Sequence, residues 1–180
     1  IVEEDFEAME PGVPPSEALG SCRVSGSTAI VVTEETASSG DRSLKFVDHS
    51  DAAQPFHPYL VVQPEGLNRG AGRLSFDLRL DAGAEAQVEL RRVENARQFP
   101  VGPSLRFSRK GVVTAVGVET PVAHFELAQW LHVEIVFALD GKATYDLTVG
   151  TPNGPIQEAK GLPCRSPQFR HCGWIGVTGI

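Results

Sequence analysis

Apolar residues occupy every second position along much of the chain. The clearest case is the stretch Arg73 to Arg92, RLSFDLRLDAGAEAQVELRR, in which Leu, Phe and Val alternate with polar residues on both sides of a small Ala/Gly segment. This period of two is typical of strands with one buried face. We expect a β-hairpin in which Arg79 lies opposite Glu89. The same register sets Asp77 opposite Arg91, so it forms two cross-strand pairs of opposite charge.

The same alternation predicts further strands, separated by turns rich in Gly, Pro and Asp. They cover residues 29–33, 43–47, 59–63, 104–109, 112–118, 130–139, 143–149, 156–159 and 173–177. Lys110-Gly111 and Asp140-Gly141 have the composition of tight hairpin turns. Residues 1–26 are rich in Pro, Gly, Ser and acid, which predicts an irregular N-terminal arm with one helical turn near residues 16–19. The pattern indicates a single all-β domain over residues 1–180, a two-sheet antiparallel β-sandwich of the jelly-roll type.

Composition excludes some classes of partner. The formal net charge of -7 argues against binding to nucleic acid or to an anionic membrane, because both need a basic surface. The longest apolar run is residues 135–139, far shorter than the roughly 20 residues that cross a bilayer, so we expect no membrane insertion. At this length a metal or a disulfide is not required for stability.

The three cysteines allow two interpretations. Cys164 and Cys172 flank a short loop that contains Pro167, so a disulfide can join them and leave Cys22 free. The alternative is three buried thiols in a reducing compartment. No CxxC or Cys/His cluster has the spacing of a zinc site.

Several segments resemble the concanavalin A-like and laminin G-like jelly rolls, and also jelly-roll carbohydrate-binding modules. In chain order they are DFEAMEPG, SGDRSLKF, FDLRL with VELR, AQWLHVEIVFALDGKATYDLTV and GWIGV. The resemblance spans nearly the whole chain. It implies a two-sheet sandwich whose polar face or edge loops bind glycans, often with a structural calcium.

The resemblance also implies where calcium would bind. The matching residues are Glu7, the acid after Phe6, with Asp41 as a helper and backbone carbonyls of the SGDRSL segment. Carboxylate and carbonyl oxygens suit calcium, which takes six to eight of them. The chain departs from these families because its last strand carries no Asp. The alternative is a pair of solvated acids next to a turn, and DHSD at residues 48–51 is interpreted as an ordinary polar loop.

The polar positions of successive strands supply candidate ligand-binding residues. Arginine and carboxylate side chains bind sugar hydroxyls, and aromatic rings pack against the pyranose. We expect several of these polar residues to share one sheet surface, with aromatic residues in or beside its loops; the alternative is a salt-bridged solvent face. The candidates are Tyr59, Glu89, Arg91, Phe99, Arg106, His132 and Glu134.

Catalytic motifs are incomplete in this chain. The Glu-x-Asp-x-x-Glu strand of sandwich glucanases is absent. Glu89-Leu90-Arg91 resembles the Arg-x-Glu-Leu-Arg strand of jelly-roll polysaccharide lyases, in which an Arg holds the uronate carboxylate, but Gln87 replaces the first Arg. We therefore predict no catalytic residue, although spacing alone does not exclude a triad assembled from distant residues.

The leading hypothesis is a non-catalytic, lectin-like module that binds a glycan or polysaccharide. It would belong to a secreted, periplasmic or cell-surface protein, with further domains if that protein is longer. One alternative is a sandwich enzyme acting on polysaccharide, either a lyase or a glycoside hydrolase. Another is a protein-interaction module.

Overall fold

The computed structural model describes residues 3–65, 67–92, 99–151 and 154–180. All regular structure in these ranges is β, and none of it is helical. The strands are β1 Ser21–Arg23, β2 Ala29–Thr33, β3 Ser43–Val47, β4 Tyr59–Val62, β5 Ala71–Arg79, β6 Ala86–Arg91, β7 Val101–Ser108, β8 Val112–Ala115, β9 Ala123–His124, β10 Trp130–Ala138, β11 Thr144–Gly150, β12 Gln157–Pro163 and β13 Trp174–Gly179. Within the same ranges, no helix of the length and hydrophobicity needed to span a bilayer is found.

Two antiparallel sheets form the sandwich. The large sheet has seven strands in the order β1-β4-β13-β6-β7-β8-β9, and the small sheet has four in the order β12-β11-β10-β5. Strands β2 and β3 pair separately. Leu90 and Leu105 of the large sheet and Val133 and Leu147 of the small sheet belong to one core cluster and are at most 1% exposed. The predicted all-β sandwich is confirmed.

Alternating hydrophobicity located most strands correctly. Strands β2 and β3 have the predicted bounds, and β10 and β11 are joined through the predicted Asp140-Gly141 turn. Gly141 has φ +93° and Gly111 has φ +69°, a backbone conformation that glycine adopts without strain. Two short strands, β1 and β9, have no clear alternation and were not predicted.

The predicted hairpin from Arg73 to Arg92 is wrong. Strand β5 lies at the edge of the small sheet beside β10, whereas β6 lies in the large sheet between β13 and β7. The chain crosses from one sheet to the other through residues 80–85. Leu80 and Leu90 are both buried, as the alternation indicated. The apolar sides of β5 and β6 face the same core from opposite sheets, so alternation alone does not show that the two strands pair.

The predicted charge pairs of that hairpin therefore do not form. In the register of the structure, Asp77 lies opposite His132 on β10. Glu89 lies opposite Gly176 on one side and Ser104 on the other. These new neighbours define the two polar surfaces described below.

Backbone hydrogen bonds tie the N-terminal arm to β2 of the separate two-stranded sheet. Gly12 N donates to Val32 O at 2.8 Å, and Val32 N donates to Val13 O at 2.9 Å. The predicted turn is present, with Leu19 N donating to Ser16 O at 3.1 Å. The arm is less irregular than expected, because β1 pairs with β4.

All three cysteines are free thiols in this structure. Cys164 and Cys172 are buried in the core, so of the two interpretations the structure has the free thiols and not the bridge. Burial raises the pKa of Cys164 to about 12 and that of Cys172 to about 11. Cys22 is half-buried, and burial raises the pKa of its thiol as well.

Candidate functional site

The outer face of the large sheet is polar at its centre. On β6, Val88 and Leu90 point into the core, so the residues between and beside them point outward. The outward residues are Gln87, Glu89 and Arg91. The sequence of β6 thus places an amide, a carboxylate and a guanidinium along one line of the sheet surface.

Glu89 is almost completely buried, with a side chain only 4% exposed. Its Oε2 accepts hydrogen bonds from Ser104 Oγ at 3.1 Å and from Gln87 Nε2 at 3.2 Å. Arg91 donates from Nε to the other oxygen, and Arg165 Nη1 lies 3.7 Å from Oε2. Because both oxygens are engaged by donors, the buried charge is stabilised and the carboxylate is held in place.

Trp174 lies beneath Arg91. The Arg91 Cζ atom lies 4.5 Å from the centroid of the indole, within the range of a cation–π interaction. The indole itself lies against Gly176, where an added Cβ would come within 2.0 Å of Trp174 Cη2. A larger residue at 176 would therefore displace the ring. We call Gln87, Glu89, Arg91, Ser104, Arg165 and Trp174 the Glu89 cluster.

A second ion cluster lies on the same sheet. Arg106 Nη2 is 2.6 Å from Glu85 Oε2, and Arg109 Nε is 3.6 Å from Glu85 Oε1. The hydrogen bond from Arg106 lowers the pKa of Glu85 below its usual range. The two clusters together contain four arginines and two carboxylates. Their summed charge is +2, on a chain whose net charge is -7. The surface therefore favours an anionic ligand.

Four of the predicted ligand residues belong to the large sheet. Glu89, Arg91 and Arg106 lie on its outer face, as described above. Tyr59 lies on β4, opposite Thr178. Its ring centroid is 5.7 Å from that of Phe56 and 5.6 Å from that of His57. Phe99 is exposed just before β7.

His132 and Glu134 lie elsewhere. They are on β10, at the outer surface of the small sheet, on the opposite side of the sandwich from Arg91. Of the several residues expected to share one sheet surface, these two do not lie with Glu89, Arg91 and Arg106. His132 contacts Asp77 and Ser75, and Glu134 forms an ion pair with Arg73.

Sequence reasoning missed Trp174, Ser104 and Arg165. Trp174 and Gly176 are two residues apart on β13, a spacing that puts them on one face and leaves room for the ring over the glycine. That pattern was available in the sequence. Arg165 lies in a loop, and nothing in the spacing indicates its approach to Glu89.

One oxygen of Glu7, a proposed calcium ligand, accepts hydrogen bonds from backbone N–H groups. Glu7 Oε1 accepts from the backbone N of Asp41 at 2.8 Å and of Arg42 at 2.9 Å. The Arg42 guanidinium donates from Nη1 to the carbonyls of Glu7 at 2.6 Å and Met9 at 2.8 Å. Calcium bound at Glu7 would compete with these N–H donors for Oε1, and calcium binding stays a prediction. The part of the chain that the structure describes holds no cluster of three or more His, Cys, Asp or Glu side chains suited to a metal.

In the loop of residues 48–51, the Asp51 carboxylate bonds to neighbouring side chains and backbone. Asp51 accepts from Ser27 N at 2.9 Å and from Ser27 Oγ at 2.8 Å, and lies 2.9 Å from His49 Nδ1. The backbone hydrogen bond from Ser27 is the main reason that the pKa of Asp51 is lowered. These contacts agree with an ordinary polar loop.

The chain was compared with known proteins. No protein-family model matches it, and no curated protein sequence matches it either. Among solved structures it is similar to an endo-β-1,4-glucuronan lyase from the fungus Trichoderma reesei, with a TM-score of 0.60 and 11% sequence identity. The match covers 94% of this chain and 83% of the lyase chain. This likeness supports the jelly-roll sandwich fold expected from the sequence.

Proposed function

We propose that the protein binds an acidic polysaccharide without cleaving it, on the outer face of the large sheet. The observation that carries this proposal is the position of the Arg91 guanidinium. Its Nε donates to Glu89, and its planar face packs on the Trp174 indole. The two Nη nitrogens form the remaining edge of the guanidinium, and the side chain is 36% exposed. That edge can donate two parallel hydrogen bonds to the carboxylate of a uronic acid residue.

The charge of the surface supports an acidic ligand. The excess of arginine around Glu85 and Glu89 attracts an anionic polymer, whereas the chain as a whole repels one. The fold likeness to an enzyme named for glucuronan suggests which polymer to test first. A polysaccharide ligand in turn places the protein in a secreted, periplasmic or cell-surface setting.

The buried state of Glu89 favours binding over cleavage. A general base must reach the proton that it removes, and Glu89 is buried beneath its own donors. Among the described residues, no His or Tyr side chain hydrogen-bonds to Glu89 or Arg91. The second candidate function, a polysaccharide lyase, is favoured by the Gln-x-Glu-Leu-Arg strand and the similar lyase fold.

Calorimetric titration with glucuronan oligosaccharides tests the proposal. We expect Arg91→Ala to weaken binding by about 10- to 100-fold, because a hydrogen bond to a charged group contributes about 1.5–3 kcal/mol. Trp174→Ala should weaken binding less, since it removes only the support of Arg91. Arg73→Ala is the matched control, since Arg73 also pairs with a glutamate but lies on the small sheet.

Two results would overturn the proposal. One is an unchanged affinity in Arg91→Ala, and the other is equal binding of a neutral β-1,4-glucan. The same oligosaccharides incubated with the protein separate the two candidate functions. A lyase would generate the ultraviolet absorbance of an unsaturated uronate, and a binding module would not.

A further inference from the structure

Three side chains on the outer face of the small sheet are joined in a line. Asp77 Oδ1 lies 2.6 Å from His132 Nδ1, and His132 Nε2 lies 3.1 Å from Ser75 Oγ. A carboxylate on one imidazole nitrogen and a hydroxyl on the other is the arrangement that activates a serine nucleophile. It is recognised by geometry, not by sequence order.

The sheet register builds this arrangement. Ser75 and Asp77 are two residues apart on β5, so both point outward, and Asp77 lies opposite His132 on β10. Ser38, from the loop after β2, donates to the other oxygen of Asp77 at 2.5 Å. The carboxylate is thus fixed from two sides by separate segments of the chain.

We propose that Ser75, His132 and Asp77 hydrolyse small carboxylic esters. Ser75 Oγ forms a bond to the ester carbonyl carbon while its proton passes to His132 Nε2 and the carbonyl π electrons move to the oxygen. Collapse of this intermediate breaks the bond to the alcohol oxygen, which takes the proton from His132. Water then attacks the acyl-serine, gives a proton through His132 back to Ser75 Oγ and releases the carboxylic acid.

Neighbouring side chains suit this reaction. Glu134 is the register partner of Ser75, and its carboxylate is paired with the Arg73 guanidinium, so the charge beside Ser75 is balanced. Trp130, two residues before His132 on the same face, donates from Nε1 to Thr36 Oγ1 at 3.2 Å. Its ring offers a surface for the apolar part of an ester.

The chain contains a natural control. His49 Nδ1 also pairs with a carboxylate, Asp51, at 2.9 Å. The nearby Ser27 hydroxyl donates to Asp51 and not to the imidazole. A His–Asp pair without a serine on the second nitrogen should hydrolyse esters no better than free imidazole.

The test combines kinetics with covalent labelling. We expect the wild-type chain to hydrolyse para-nitrophenyl acetate and to be labelled on Ser75 by a fluorophosphonate, as mapped by peptide mass spectrometry. Ser75→Ala and His132→Ala should each lower kcat/KM by about 100-fold or more. His49→Ala and Ser27→Ala should leave kcat/KM unchanged. Ser75 is exposed, so thermal denaturation should show an intact fold in Ser75→Ala.

Asp77 is a positioning residue, because it acts through His132. Asp77→Asn should lower kcat and leave KM unchanged, and Asp77→Glu should restore part of kcat. The inference is overturned if Ser75 takes no label, or if Ser75→Ala keeps the activity that His132→Ala loses, which would indicate hydrolysis by the imidazole alone. Glucuronan binding should be unchanged in Ser75→Ala, so this inference and the proposed binding function succeed or fail separately.

Discussion

Replacing Glu89 with Gln separates two effects of one buried charge. The amide keeps the shape and an oxygen that accepts from Arg91 Nε, but it removes the negative charge. The carboxylate is buried among its donors, so a ligand has little access to it. We therefore expect Glu89→Gln to destabilise the fold while strengthening the binding of an acidic oligosaccharide.

The size of both effects follows from the geometry. The new amide nitrogen takes the place of Oε2, so the Ser104 hydroxyl and the Gln87 amide must turn to accept from it. The substitution also weakens one charge-assisted hydrogen bond, from Arg91, and one longer ion pair, to Arg165. Such a hydrogen bond contributes about 1.5–3 kcal/mol, and the partly exposed arginines can hydrogen-bond to water instead. We therefore expect the free energy of unfolding to fall by an amount in that range. For a domain of this size the loss corresponds to a Tm lower by about 3–12 °C. A ligand carboxylate about 6 Å from Glu89 is repelled by about 0.7–2.8 kcal/mol, for an effective dielectric constant of about 80 to 20.

Urea unfolding and calorimetric titration measure the two effects on the same protein. Removing the repulsion should tighten binding by about 3- to 100-fold at low salt, and the gain should shrink as ionic strength rises. Glu134→Gln is the matched control, because it removes an equal charge and an Arg ion pair from the opposite surface. Weaker binding in Glu89→Gln, with Glu134→Gln unchanged, would refute the reasoning by showing that the ligand needs the charge of Glu89.

Three further predictions follow from the core and the arm. The Tyr145 hydroxyl is buried without a hydrogen-bond partner among the described residues, so Tyr145→Phe should stabilise the fold by about 1 kcal/mol in urea unfolding, and a loss of stability would contradict this. Burial raises the pKa values of Cys164 and Cys172 to about 12 and about 11, so above about pH 9 the unfolded chain releases thiol protons that the folded chain keeps. The free energy of unfolding, measured in urea, should therefore fall as the pH rises above about 9. Cys172→Ala should make this fall less steep. Because the Arg42 guanidinium holds the carbonyls of Glu7 and Met9, EGTA or added calcium should leave the Tm unchanged, and a rise of several degrees with calcium would restore the predicted metal site.

The positions of strands could be predicted from the sequence, because side-chain alternation is a local property. β2 and β3 were found to the residue, and the Asp140-Gly141 turn was identified by composition. Pairing is not local. The alternation of Arg73 to Arg92 is the same whether β5 and β6 pair in one sheet or face each other across the core.

Site residues on one strand could be predicted from the sequence, but contacts between distant strands could not. Glu89 and Arg91 were predicted as ligand residues because they lie two apart on one strand. His132 was grouped with them, although its contacts lie on the other sheet. Its alignment with Asp77 and Ser75 depends on pairing between segments more than 50 residues apart in the chain, which spacing does not reveal.

The position of β13 has a consequence for how the chain folds. This strand, at residues 174–179, lies between β4 and β6 near the middle of the large sheet. Until β13 is in place, no strand connects β4 to β6. The large sheet is then two separate pieces, β1-β4 and β6-β7-β8-β9. Folding therefore requires contacts between distant parts of the chain, which makes it slow, in the millisecond to second range typical of β-sandwiches. During synthesis on the ribosome, the edges of β4 and β6 that face β13 must remain unpaired or protected until β13 has emerged.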